Sequence, residues 1–169
     1  MDVDTAIRGR RTHKAFAPRP VPREVLDELL ELARWAPSHH LTNPWRFRVL
    51  GPAALTRLKD AAGPEAAAKL DRAPTLVAVS SVGSADPIQD QEDQYATACA
   101  VYAVLLAAHR RGLASYWRTP GVLRTDAGRA AVQIPSEEHF IALLHLGWPR
   151  QDKEPPERLE PSDYIAYLD

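Results

Sequence analysis

The sequence holds one cysteine, Cys99, so no disulfide closes within a single chain and the cross-linked frameworks of small secreted domains are excluded. It has no apolar run approaching the roughly 20 residues needed to cross a bilayer. Its first residues, Met1-Asp2-Val3-Asp4, lack the basic and apolar character of a secretory leader. Neither sign of charge is in excess: 21 Lys and Arg stand against 22 Asp and Glu, a formal net charge of −1. The basic field of a nucleic-acid binder is missing, and so are the exposed aromatic platforms of an RNA binder. These absences predict a cytoplasmic protein whose partners are neither membrane nor nucleic acid. Several signatures are absent too. Neither G-x-x-x-x-G-K-[ST] nor G-x-G-x-x-G occurs, so no glycine-rich turn cradles a phosphate. No G-x-S-x-G provides a nucleophile elbow. H-E-x-x-H and multi-cysteine patterns are missing, and the paired His39-His40 are adjacent and so point apart, which predicts no metal.

What is present is an ordinary globular composition, 45% hydrophobic and 25% charged over 169 residues, which predicts one domain spanning 1–169. Asp2 to Arg10 reads as a short helix opened by acids. Ala17 to Pro22 reads as an extended linker, with Pro22 suited to a first helical turn. Val25, Leu26, Leu29, Leu30, Leu32 and Ala33 recur at helical spacing, with charged residues on the remaining wheel positions. A strand is predicted at Phe47 to Leu50, a helix at Ala53 to Ala62, and a further turn or two within Glu65 to Arg72. Thr75 to Ser80 is β-branched and apolar, the pattern of a buried strand. Ser81 to Asp90 reads as a loop and Gln91 to Arg111 as the longest helix, ended by Gly112. Tyr95, Ala98, Cys99, Tyr102, Leu105, Leu106 and His109 share one broad face of that helix, and Ala96, Ala100, Ala103 and Ala107 the other. The expectation is a helix buried on several sides and a subunit interface, with Cys99 a packed thiol rather than a nucleophile. Leu113 to Thr119 and His139 to Gly147 read as strands, and Asp126 to Val132 as a short helix. The tail is proline-rich and charged, then apolar at Tyr164 to Leu168, which suits an end that docks on something.

Three polar clusters carry the chemistry. Ala36-Pro37-Ser38-His39-His40-Leu41-Thr42-Asn43-Pro44-Trp45 is a rigid loop, because two prolines fix φ and remove backbone donors. Rigid polar loops between regular elements are where sites are commonly built, although most such connectors carry no chemistry. Arg8, Arg10, Arg11, His13 and Lys14 surround Thr12, and arginine forks match phosphate oxygens in pairs. The same residues also read as a solvated charge run. Trp117-Arg118-Thr119 is the third.

Four phrases, in order and at family spacing, resemble the FMN-dependent nitroreductases, and in particular their short bacterial branch. They are Arg10-Arg11-Thr12; Ala36-Pro37-Ser38 through Asn43-Pro44-Trp45; Leu105 to His109 with Gly112-Leu113 and Trp117-Arg118-Thr119; and Leu144-His145-Leu146-Gly147-Trp148-Pro149. The resemblance implies an α+β fold with a mostly antiparallel central sheet flanked by helices. It also implies an intertwined homodimer with FMN at the subunit interface and NAD(P)H as electron donor. A small-molecule acceptor, a nitroaromatic, quinone or enone, would be reduced by ping-pong hydride transfer, with no catalytic acid or base assigned. On this resemblance Arg10, Arg11 and Thr12 hold the phosphate and ribityl end. Pro37, Ser38, His39 and Asn43 approach from the other subunit, and Trp117, Arg118 and Thr119 return to the first side. The family often has Ser-Ser-x-Asn where this chain has Ser38-His39-His40-Leu41, and Gln-Asn where it has Tyr102-Ala103. The lysine or arginine that joins the phosphate in longer members has only Lys153 and Arg158 as candidates. Those departures keep a non-catalytic, degenerate flavin-binding module open as an alternative.

Overall fold

The two most apolar runs become the two inner strands of one sheet. The computed structural model describes residues 1–168 and places α1 at Val3–Gly9, α2 at Arg23–Ala33, β1 at Trp45–Val49, α3 at Pro52–Ala62 and α4 at Pro64–Ala67. β2 (Thr75–Val82), α5 (Pro87–Arg110), β3 (Ala114–Arg118), α6 (Asp126–Ala131) and β4 (Glu138–Gly147) follow. The strand order is β1-β2-β4-β3 with every neighbouring pair antiparallel, so the expected α+β class with an antiparallel sheet flanked by helices is what the chain adopts.

Alternate residues of the inner strands face opposite layers, as the period-2 pleat requires. Val77, Val79, Ala142, Leu144 and Leu146 pack under α2 and α5, against Leu26, Leu29, Ala33, Ala100, Val101 and Val104. Leu76, Ala78 and Leu143 face the other side, against Leu58 of α3, Leu70, Leu123 and the 131–134 segment. Helices on both faces explain why neither inner strand alternates with polar residues.

Two expectations for α5 change. The helix begins at Pro87 rather than Gln91, because the Asp86 carboxylate accepts from the Ile88 and Gln89 amides at 2.8 and 3.3 Å and Pro87 needs no partner for a backbone N–H. Its inward face is the small one. Ala96, Ala100, Val104, Ala107 and Ala108 are buried, whereas Tyr95, Cys99 and Tyr102 are exposed. Valines and leucines of the sheet already fill the layer beneath, and alanines let the helix approach them closely. Cys99 is thus an exposed thiol, not a packed one.

The sheet also buries two titratable groups. Arg48 of β1 donates to Ser80 Oγ at 2.7 Å and to Glu138 Oε1 at 2.9 Å, and Ser80 donates to Glu138 as well, tying β1, β2 and β4 together. Burial alone would raise the Glu138 pKa. The hydrogen bonds from Arg48 and Ser80, with the charges of Arg48 and Arg46, outweigh it and hold the carboxyl below its ordinary value. His145 of β4 is fully buried, and neither ring nitrogen has a partner among the described residues. Burial first, then the charges of Arg118 and Arg72, lower its pKa to about 3.

The sign of both shifts is the same. Each group binds its proton more weakly folded than unfolded, so its contribution is present at neutral pH and lost as pH falls. For His145 the window runs from 6.5 down to about 3. Between pH 7 and pH 5 the unfolded imidazole gains a proton that the folded one refuses, which costs about 2 kcal/mol. Urea unfolding at the two pH values should show His145→Leu losing about 2 kcal/mol less stability than the parent on acidification. Equal losses would show that the buried imidazole does not set the acid sensitivity.

Candidate functional site

The Arg10-Arg11-Thr12 stretch leaves the end of α1 and runs along the free edge of β3. Thr12 bridges Ser115 in parallel, and the His13 amide donates to the Ser115 carbonyl at 3.0 Å. Gly9 lies close against α5: a Cβ on it would sit 2.6 Å from His109 Nε2, so the imidazole would have to swing aside. Burial, reinforced by the charges of Arg10 and Arg11, lowers the His109 pKa, and burial with the charges of Lys153 and His109 lowers that of His13. Both imidazoles therefore remain neutral at pH 7, and the fixed charge comes from the guanidiniums.

Arg10, Arg11 and Thr12 line a cavity of about 250 Å³ together with Lys153, Glu154, Pro156 and Arg158. Four cations face one carboxylate there. The tail thus returns the two residues named from sequence as candidates for closing this cluster. Arg10 Nε and Arg11 Nε are buried without a hydrogen-bond partner among the described residues. The Arg11 guanidinium meanwhile turns back on the carbonyls of Arg8 and Arg10. Unpaired buried guanidinium donors are costly unless an anion meets them. The cavity suits a phosphate dianion by charge.

The 36–45 loop lies at the opposite end of the strand order, leading into β1. It is held by a one-way relay. The Asn43 amide donates to Ser38 Oγ at 3.1 Å, Ser38 Oγ meets Thr42 Oγ1 at 3.0 Å, and Thr42 Oγ1 donates to Asp93 Oδ1 at 2.6 Å. Because Asp93 only accepts, each hydroxyl is committed to donating toward it. Gln89 Nε2 adds a second bond to that carboxylate at 3.0 Å. Within the segment it closes, His40, Leu41 and Asn43 have φ of 52°, 53° and 48°, a left-handed region uncommon for Leu41 and better tolerated by His40 and Asn43. His39 reaches α5 separately, with Nδ1 2.5 Å from Glu92 Oε2. Pro37, Ser38 and His39 line a second, open cavity of about 450 Å³ with Glu92, Tyr95, Ala96 and Cys99.

Within one chain these clusters do not meet. Three interstrand steps of roughly 4.8 Å separate the β1 and β3 edges, and the two cavities share no lining residue. The third cluster divides. Trp117 packs under the α5 face of the sheet, Arg118 points through the other face to donate to the Lys69 carbonyl at 3.1 Å, and Thr119 is exposed. Successive strand residues must point oppositely, so the pair cannot converge on one ligand from a regular strand. Sequence reasoning placed Tyr95 on the broad face of the long helix, but connected neither it nor Glu92 and Asp93 with the loop, whose contacts with them span more than 50 positions. Among the described residues, no group of three or more His, Cys, Asp or Glu is placed to hold a metal, and no helix is long and apolar enough to cross a membrane.

The site is thus a cationic cavity at one edge of a helix-flanked antiparallel sheet and a proline-framed polar loop at the other. The profile of the nitroreductase family matches residues 7–69. A 5,6-dimethylbenzimidazole synthase of Rhodospirillum rubrum is 30% identical over 182 aligned positions, covering 92% of this chain and 85% of that protein. Among solved structures, a nitroreductase-like family protein of Bacillus cereus superposes with a TM-score of 0.90 at 22% identity, over 100% of this chain and 97% of that one. A Desulfovibrio desulfuricans protein solved in complex with FMN superposes at 0.82 with 25% identity, over 100% and 98%. The chain belongs to the nitroreductase family.

The relay gives a direct test of how the loop is held. Asp93→Ala leaves the Thr42 and Gln89 donors without their acceptor, and the unfolding free energy should fall by about 1–3 kcal/mol. Hydrogen exchange at amides 38–43 should accelerate more than exchange in the sheet. Uniform acceleration across the chain would show that Asp93 does not hold this loop specifically.

Proposed function

We propose that this chain works as a homodimer, binding FMN between its subunits and using NAD(P)H to reduce a small-molecule acceptor such as a nitroaromatic, quinone or enone. The observation that carries the reading is the cavity of Arg10, Arg11, Thr12, Lys153 and Arg158, with two buried guanidinium nitrogens lacking a partner. An FMN phosphate carries close to two negative charges, which the excess of cations in this cavity would balance.

The outer face of α5 supports a second copy as the missing half. Tyr102 lies by Arg10, whose guanidinium is 6.0 Å from its ring, whereas Glu92, Tyr95 and Cys99 border the loop cavity. Tyr95 and Tyr102 are roughly 10 Å apart along the axis. Two copies of α5 crossed antiparallel about a twofold would bring the cationic cavity of one protomer toward the loop cavity of the other. Isolated in one chain, the exposed Tyr95-Cys99-Tyr102 stripe has nothing to cover it.

In this arrangement Arg10, Arg11, Lys153 and Arg158 bind the phosphate, with Thr12 at the ribityl end. Pro37, Ser38, His39 and Asn43 border the ring and the slot in front of it. Of the Trp117-Arg118-Thr119 cluster only Trp117, on the α5 side of the sheet, remains a candidate for the apolar side, because Arg118 points to the other layer. When bound, FMN supplies the redox chemistry, accepting two electrons as hydride and passing them on. The protein orients the reactants and shields the slot from water.

Purified protein loaded with FMN should be yellow and should bleach on addition of NADH or NADPH. Arg11→Ala should weaken FMN binding roughly 10- to 100-fold in a fluorescence titration, the effect of removing a charge-assisted contact. Protein that takes up no FMN would refute the proposal. Bound FMN that neither nicotinamide bleaches would favour the non-catalytic flavin-binding module.

A further inference from the structure

We infer that His39 donates the proton that accompanies hydride transfer to the acceptor, with Glu92 as the residue that positions it; this rests on the flavin reading above. The imidazole is fixed from two directions. Its Nδ1 is held on Glu92 Oε2 at 2.5 Å, and its face is stacked on the His40 ring, with centroids 3.9 Å apart and planes at 16°. His40 has a left-handed backbone and lies within the segment that the Ser38-Thr42-Asp93 relay closes. A surface histidine without a task gains little from such restraint. Among the described residues Nε2 has no partner, and it is the one polar atom of the ring left for the cavity bordered by Pro37, Ser38, Tyr95 and Cys99.

The chemistry requires one proton at this place. Hydride brings two electrons and one proton, and conversion of a quinone to a hydroquinone consumes one proton more. Nε2 of the resting Nδ1–H tautomer first takes a proton from water to give the imidazolium; in the step assigned to His39 that Nε2–H bond breaks and an O–H bond forms on the reduced acceptor. The imidazole left behind keeps its Nδ1–H on Glu92 and recovers its proton from water. Nitro reduction to nitroso balances in the same way, as hydride plus one proton with loss of water. The other groups facing this spot are poorer donors. Asp93 is buried and already accepts from Thr42 and Gln89, and the Arg46 guanidinium is turned onto the Asn43 and Trp45 carbonyls. His40 lies behind the stack. Glu92 fixes the tautomer, because a carboxylate can only accept from Nδ1–H.

The test separates the half-reactions of the FMN-loaded protein in a stopped-flow instrument, with NADH as donor and benzoquinone as acceptor. His39→Ala should slow quinone reduction roughly 100-fold more than it slows bleaching by NADH, the size of a general-acid effect. Added imidazole should restore much of that loss. In ¹⁵N NMR of neutral histidines without acceptor, His39 should show the Nδ1–H tautomer and should shift to Nε2–H in Glu92→Ala. Equal slowing of both half-reactions, no response to imidazole, or an Nε2–H tautomer in the parent would overturn the proton delivery while leaving the flavin reading intact. Protein that binds no FMN would overturn both, and the tautomer would still report whether the His39–Glu92 pair exists.

Discussion

The close seat of α5 on the sheet fixes everything that matters for function. Ala96, Ala100, Ala107 and Ala108 turn inward over strands already filled with valine and leucine. The helix can approach only because those positions are small. Its axial position then has two consequences about four turns apart. Near its start, Glu92 and Asp93 stand against the 38–43 loop, and near its end the His109 ring stands against Gly9. One rigid 24-residue helix therefore sets the distance between the loop and the cationic stretch. A larger residue at Ala100 would lift the helix and disturb both ends together, through packing rather than through any contact with a ligand.

The elements were legible where local chemistry and burial agreed. The amphipathic α2 and the apolar β2 and β4 carry their period in the sequence, and Gly112 marks the end of α5 as a left-handed residue at φ 73°. The start of α5 was misread because Asp86-Pro87 is both a turn signal and a cap with a first-turn proline. Only the continuation of the helix distinguishes the two. Cys99 was misread as packed for another reason. Hydrophobicity ranks cysteine with the core, whereas the decisive quantity was the room beneath the helix, which admits alanine.

The candidate site was legible in pieces. Arg10, Arg11 and Thr12 were readable as an anion cluster, and Lys153 and Arg158 do come to line its cavity from more than 140 positions away. Whether a distant tail returns to a helix end is a question of topology that no spacing rule answers. The partners of the loop were invisible for the same reason. Thr42 and Asp93 are 51 residues apart, and His39 and Glu92 are 53 apart. Trp117-Arg118 shows the opposite failure: adjacency in sequence suggested a shared target, and the strand pleat sends the two side chains to opposite layers.

The two cavities divide labour by charge. One presents four cations and a single carboxylate; the other has no arginine or lysine in its lining and a histidine tied to a glutamate. A ligand with a dianionic end and a flat, weakly polar end would be oriented by that difference before any detailed contact formed, since the anionic end is favoured in only one of them. The chain keeps the two apart, on opposite edges of its own sheet, so neither cavity alone can discriminate both ends of such a ligand. A twofold pairing through the exposed stripe of α5 would juxtapose unlike cavities twice over. Orientation of the cofactor and dimerisation would then draw on the same helix face, and a substitution of Tyr95 or Tyr102 that weakened pairing would weaken ligand retention with it.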